Sequence, residues 1–321
     1  MSVGVVYQSR APHKRSTITS SYQMREVIFA LVPVIIFSTL YFGYRVLLVL
    51  LLSVSSALAS ELLIEILLRR RITLGDFSAA ITGLIFALSL PVNVAWWIPV
   101  AGSAAAILVF KGLFGGIGKN ILNPAIAARV VTALVFSEQM SSLQIDGISV
   151  ATPLVSMYSD TLLFPSKLSC FLGVVPGCIG ETSTLLILLG GIYLISRRLI
   201  DFRIPFAMIT TVFILSYVLG RDGLDQILTG SLMLTAFFVA TDYVTSPMNS
   251  TAKWIVGVAG GLIVVLIRFY TPFNEGTSAA VLVMNLLTLP LDRFLVPAPY
   301  GTRKKQKNTE EKDDFEEVGE E

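Results

Sequence analysis

Histidine and charge are what this chain has least of. A single histidine stands among 321 residues, at position 13 in a polar lead-in, so a His-based metal site is excluded. Two cysteines, Cys170 and Cys178, sit in an apolar Gly- and Pro-containing stretch. Their spacing matches no zinc or iron–sulfur pattern, and they read as small buried side chains; no metal is expected. Charged residues make up 14% of the chain, where soluble domains carry about a quarter. The net charge of +2 says little about partners because the charges are segregated, and no basic face for nucleic acid is expected.

What replaces charge is apolar surface: 54% hydrophobic residues and a mean hydropathy of +0.75. The apolar runs approach the roughly 20 residues needed to cross a bilayer, which predicts an all-α polytopic membrane protein. Residues 1–25 form a polar, basic tail, and the first run lacks a small-residue cleavage site, so it reads as a retained helix. Spans are expected at 27–43, 46–68, 77–90 and 98–114, with a fifth ending near 136. Others follow at 185–195, 204–219, 227–240, 254–269 and 278–295, with 168–179 a re-entrant or interfacial piece. Arg69-Arg70-Arg71, Lys111, Lys119, Arg197, Arg198 and Arg203 then fall on one side, as the positive-inside rule requires. The domain plan is a cytoplasmic tail (1–25), a transmembrane domain (26–296) with an outer loop at 137–167, and a charged cytoplasmic tail (297–321).

Thr82-Gly83 followed by Pro91 and Trp96-Trp97 is echoed by Thr229-Gly230 followed by Pro247 and Trp254. Five spans per half would make two inverted repeats, an architecture that places sites where broken helices meet. Breaks stand at 115–125, 180–183, 241–247 and 274–277. They supply either donors for a ring, phosphate or ion, or ordinary interhelical turns. Gly115-Gly116-Ile117-Gly118 lacks the strand and spacing of a dinucleotide fold. Asp76, Glu181, Asp242, Glu275 and Asp292 are acids at span edges or breaks and are candidates for an ion path or a coupling role.

The most polar island is 144–154, where Pro153 biases Thr152 toward extended backbone and presents its hydroxyl from a loop. Asp146, Ser149, Ala151 and Thr152 resemble the motif at which a flavin transferase joins FMN to threonine through phosphate. The chain is also similar to the NqrB/RnfD family from Asp76 to Asp292. The resemblance runs through Asp76-Phe77-Ser78, Gly118-Lys119-Asn120, Asn123-Pro124-Ala125, Gly180-Glu181-Thr182-Ser183, Thr241-Asp242 and Thr245-Ser246-Pro247. Length favours the Rnf type over the NqrB type, and Val150 replaces a glycine usual in the modification loop.

The resemblance implies a non-autonomous subunit of a translocase in the cytoplasmic (inner) membrane. Such a complex relays electrons between ferredoxin- and NAD-linked partners and couples them to Na⁺ or H⁺ export. It implies covalent FMN at Thr152, a second non-covalent flavin of the riboflavin kind, a flavin transferase, other subunits including a second FMN carrier, and surrounding lipid. A subunit of the sodium-pumping quinone reductase, or a non-redox channel or transporter with inverted repeats, is the alternative.

Overall fold

Gly43, at φ 84°, turns the chain between α1 (Ser20–Phe42) and α2 (Arg45–Leu67), two 23-residue apolar helices. The computed structural model describes residues 19–70, 72–113, 116, 118–141, 144–145, 148–149, 151–158, 164–271 and 275–295. A single 3₁₀ turn, Leu74–Asp76, leads into α3 (Ser78–Leu88). After Pro91 the chain re-enters as α4 (Trp97–Ala105), which widens into a π-helix at Ala106–Gly112. Asn123 caps α5 (Pro124–Val135) by accepting hydrogen bonds from Ala125 and Ile126 N–H, with Pro124 at the first helical position.

Short pieces follow: α6 (Ser137–Ser141), a two-residue hairpin of β1 (Gln144–Ile145) and β2 (Ile148–Ser149), α7 (Pro153–Met157) and α8 (Lys167–Leu172). The hairpin pairs Gln144 with Ser149 and Ile145 with Ile148, antiparallel. The second half comprises α9 (Thr184–Ser196), α10 (Arg203–Val218), α11 (Gly223–Leu228), α12 (Leu232–Leu234), α13 (Ser250–Tyr270) and α14 (Thr277–Phe294).

Among the described residues three helices, α1, α2 and α13, are long and apolar enough to cross a membrane, and five shorter apolar helices accompany them. Phe29, Leu40, Leu51 and Val218 stand well exposed on the flanks, as side chains facing lipid do. The chain is a helical membrane protein. The expected span at 227–240 is corrected: it breaks at Thr229-Gly230, with Gly230 at φ 69°, and resumes as α12 and a π-helix at Thr235–Val239. A glycine in the left-handed region stops a helix without steric cost, and the apolar run conceals that stop.

The segment expected to be re-entrant holds one helical stretch, α8, ended by Gly173 at φ 95°; 174–183 is irregular. Several of its backbone groups are satisfied from inside the protein. Ile179 and Gly180 N–H donate to Leu90 and Leu88 carbonyls at 3.0 and 2.7 Å, and Ser38 Oγ donates to Ile179 O at 2.6 Å. Irregular backbone away from water survives on such terms. A Cβ on Gly173 would lie 2.5 Å from Thr182 O and 2.6 Å from Ser183 Cα. Gly173→Ala therefore adds overpacking of about 1–3 kcal/mol to left-handed strain of about 1–2 kcal/mol. Gly220→Ala, at φ 81° with nothing within 4 Å, carries the strain alone. Thermal unfolding of both variants in detergent should rank Gly173→Ala clearly lower; equal midpoints would refute the packing argument.

Candidate functional site

Two clefts gather the polar side chains that the apolar helices bury. The first, narrow and with about 310 Å³ of empty space that includes open solvent, runs between Thr152–Leu154, Val175–Gly177 and Leu228–Gly230, with Glu181 and Glu275 on its walls. Thr152 has extended backbone (φ −66°, ψ 155°), as the following proline requires, and caps α7 by accepting the Val155 N–H at 3.2 Å. It is half-buried.

The frame around it is tied by cations. Arg221 lies 4.4 Å above the Tyr158 ring and donates to Met157 O at 3.0 Å, holding the far end of α7. Lys167 bridges α8 to Asp222, just ahead of α11. The hydrogen bond from Lys167 holds the Asp222 carboxyl below its ordinary value. Behind the cleft, Arg268 of α13 is 1% exposed and donates to Gln226 O at 2.6 Å, Gln226 Oε1 at 3.1 Å and Thr229 O at 3.1 Å.

Glu181 and Glu275, far apart in sequence, meet here with Cys178; one ligand atom from each lies within 4.8 Å of the others. That set could hold a metal ion by chemistry, but Arg129 of α5 already supplies the positive charge. Its Nη2 donates to Glu275 Oε2 at 2.7 Å and lies 4.0 Å from Cys178 Sγ. The arrangement is a buried acid, thiol and guanidinium cluster beside the threonine hydroxyl.

The second cleft, of about 720 Å³ and partly open to solvent, lies where the two π-helices meet the 119–125 and 241–247 breaks. Lys111 comes from one π-helix, Phe237 and Phe238 from the other. π-Helical turns often mark functional sites because they re-aim side chains that an α-helix would turn away. Asn123 Nδ2 stands 3.4 Å from Asp242 Oδ2, and Thr245 Oγ1 donates to the same oxygen at 3.1 Å. Asn120 Oδ1 and Tyr243 Oη are buried here without a hydrogen-bond partner.

The sequence candidates thus divide. Glu181 and Glu275 share the Thr152 cleft and Asp242 lines the other. Asp76 Oδ1 accepts the Ser78 N–H at 2.8 Å and caps α3, whereas Asp292 Oδ1 accepts the Met248 N–H at 3.1 Å and ties a loop to α14. Ser149 is in β2, Ala151 is half-buried beside Thr152, and Asp146 lies outside the described residues. Sequence reasoning passed over Arg129, Arg268, Glu61 and Glu65, although a charge inside an apolar run is a signal in itself.

The sequence profile of the NQR2, RnfD, RnfE family matches residues 7–301. The chain is 39% identical to the D subunit of the Na⁺-translocating ferredoxin:NAD⁺ oxidoreductase complex of Acetobacterium woodii, covering 93% of this chain and 96% of that protein. It is 35% identical to the D subunit of the proton-translocating ferredoxin:NAD⁺ oxidoreductase complex of Clostridium ljungdahlii, covering 92% and 96%. The D subunit of the ion-translocating oxidoreductase complex of Stutzerimonas stutzeri is also 35% identical, over 87% of this chain and 91% of that protein. With most of its length matched, this chain belongs to the NQR2, RnfD, RnfE family.

Proposed function

We propose that this chain is the D-type membrane subunit of an Rnf-type ion-translocating oxidoreductase, with FMN esterified to Thr152 and a second, non-covalent flavin in the wide cleft. The observation that carries the reading is half-buried Thr152 in a cleft whose walls hold buried Glu181 and half-buried Glu275, in a chain related over 93% of its length to a subunit of that name. In this reading the subunit works in the cytoplasmic membrane, crossing it about ten times as two inverted five-helix halves with both termini inside. The packing supports the duplication: α2 packs on α3 and α4 as α10 packs on the second π-helix and α13, while α1 meets α9 and α5 meets α14.

The residues fit the groups. Gly177 and Gly230 line the first cleft together with Thr152, and a Cβ on Gly230 would crowd Leu154 and Arg268 there. The second offers the orphaned Asn120 Oδ1 and Tyr243 Oη, the Lys111 ammonium and the Phe237 and Phe238 rings, which suit a planar heterocycle with polar edges. Bound flavins would supply one- and two-electron exchange between ferredoxin- and NAD-linked partners, including a second FMN-carrying subunit. The chain's own part is to orient, exclude water and offset charge. Negative charge gained in a low-dielectric cleft is costly; Arg129, paired with Glu275, and Arg268, bonded to Thr229 O, stand at the first cleft, and Lys111 lines the second.

The test is in-gel flavin fluorescence of the denatured chain, co-expressed with its flavin transferase, beside Thr152→Ala. A fluorescent band absent from the variant is expected. A dark wild-type band, with the transferase active on another acceptor, would favour a transporter without redox chemistry.

A further inference from the structure

Where α10 and α13 begin side by side, two cations share one acid. Asp201, just ahead of α10, accepts the Arg203 backbone N–H on Oδ1 at 3.1 Å. Its Oδ2 takes both side-chain bonds, from Arg203 Nη1 at 2.7 Å and from Lys253 Nζ at 3.0 Å. Among the described residues no other carboxylate is within ion-pair distance of either cation. The trio carries one positive charge more than it neutralises. Asp201 uses one side-chain donor of each cation, a fraction of what a guanidinium and an ammonium hold.

An apolar strip starts beside them. Trp254 follows Lys253 on α13, and its ring meets those of Phe202 and Phe206 edge to face, with centroids 6.3 and 5.9 Å apart. The Arg203 guanidinium stands 5.6 Å from the centre of the Phe202 ring. All three rings are exposed, from 38% at Trp254 to 55% at Phe206. Val258 and Leu262, exposed as well, continue the Trp254 face one and two turns further along the apolar run of α13.

A general rim of basic and aromatic residues does not account for this arrangement. Rim lysines and arginines reach into water on flexible stems, whereas these two converge on a single oxygen and are only 20% and 33% exposed. Two like charges held together repel, and a second anion beside them would relieve that. A phosphodiester brings one negative charge and oxygens that accept from both cations. The position, at the polar end of an exposed apolar strip between two helices of a membrane protein, suits a phosphate that carries acyl chains. A zwitterionic headgroup would add a third cation at the same carboxylate, so the charge balance selects an anionic lipid.

We propose that Arg203 and Lys253 bind the phosphate of an anionic phospholipid such as phosphatidylglycerol, with an acyl chain laid along Phe206, Trp254 and Val258. Asp201 is then the positioning residue that sets both cations. The bound lipid ties the starts of α10 and α13 together, and the site is independent of any flavin.

The test is thermal unfolding of the detergent-purified full chain, titrated with phosphatidylglycerol, phosphatidylethanolamine or phosphatidylcholine of one acyl composition, or with inorganic phosphate. Phosphatidylglycerol should raise the midpoint along a saturable curve, with an apparent affinity at least about tenfold above either zwitterionic lipid. Inorganic phosphate should not reproduce the rise. Arg203→Gln and Lys253→Gln should each weaken phosphatidylglycerol about tenfold. Lys253→Arg should keep the response, as should Arg25→Gln, which removes an exposed cation of α1 outside the cluster. Equal stabilisation by all three lipids, or a loss in Arg25→Gln as large as in Lys253→Gln, would reduce the site to diffuse surface charge and overturn it. A full response to inorganic phosphate would overturn the lipid and leave a free-anion site. If neither glutamine variant is recovered folded, the wild-type comparison still decides, together with a readout of position. With Trp96 and Trp97 replaced by Phe, phosphatidylglycerol brominated on its acyl chains should quench Trp254 fluorescence at concentrations where brominated phosphatidylcholine does not. Equal quenching by the two would sink the proposal.

Discussion

Arg129→Met is expected to destabilise the folded chain by about 3 kcal/mol, the low end of the cost of breaking a buried pair from one side. The guanidinium side chain is 6% exposed and donates to Glu275 Oε2 at 2.7 Å. Removing it leaves Glu275 and Glu181 beside Cys178 with no cation in the cluster, so the charge on the acids is uncompensated. The low end is chosen because the Glu275 side chain is 33% exposed and can be partly rehydrated. Arg129→Met/Glu275→Gln should recover most of the loss, because the uncompensated charge rather than the lost contact dominates. Thermal unfolding in detergent of the two single variants and the double completes the cycle. A double variant as weak as Arg129→Met would mean that the arginine acts through packing, and the charge argument would fall.

Much of this fold could be read from composition. The first two helices, their Gly43 turn and the breaks at 180–183 and 241–247 follow from long apolar runs punctuated by Gly, Pro and hydroxyl residues. Thr152 could be located because a proline fixes the backbone before it. The π-helices could not, since a run such as Ala106–Gly112 has the composition of any apolar helix and its extra residue per turn arises from packing. Nor could the partners of the acids. Glu181 and Glu275 were visible separately as costly charges, yet their meeting around Arg129 depends on α5, the irregular 174–183 segment and the start of α14 converging. Asp76 and Asp292 show the converse: charges at span edges that the structure uses as a helix cap and a loop tie.

Arg268→Met sets two opposing effects against each other. Among the described residues the guanidinium belongs to the largest fully buried side chain, its Nε has no partner, and no carboxylate is within ion-pair distance. A methionine of similar length would remove that uncompensated cation, which alone would stabilise. Against this stand three hydrogen bonds, two of them to the main-chain carbonyls of Gln226 and Thr229, where α11 ends and the chain turns through Gly230. Carbonyls at a helix C-terminus have no partner in the helix, and leaving two buried costs about 1–3 kcal/mol each. The lost acceptor bonds should win, with a net destabilisation of about 2–3 kcal/mol. Leu228, Thr229 and Gly230 wall the Thr152 cleft, so loosening them should also show as faster amide hydrogen exchange across 223–231. Arg268→Lys, keeping the charge but fewer of the bonds, should fall between the two. If Arg268→Met melts as wild type does and exchange at 223–231 is unchanged, Arg268 is not what holds that wall.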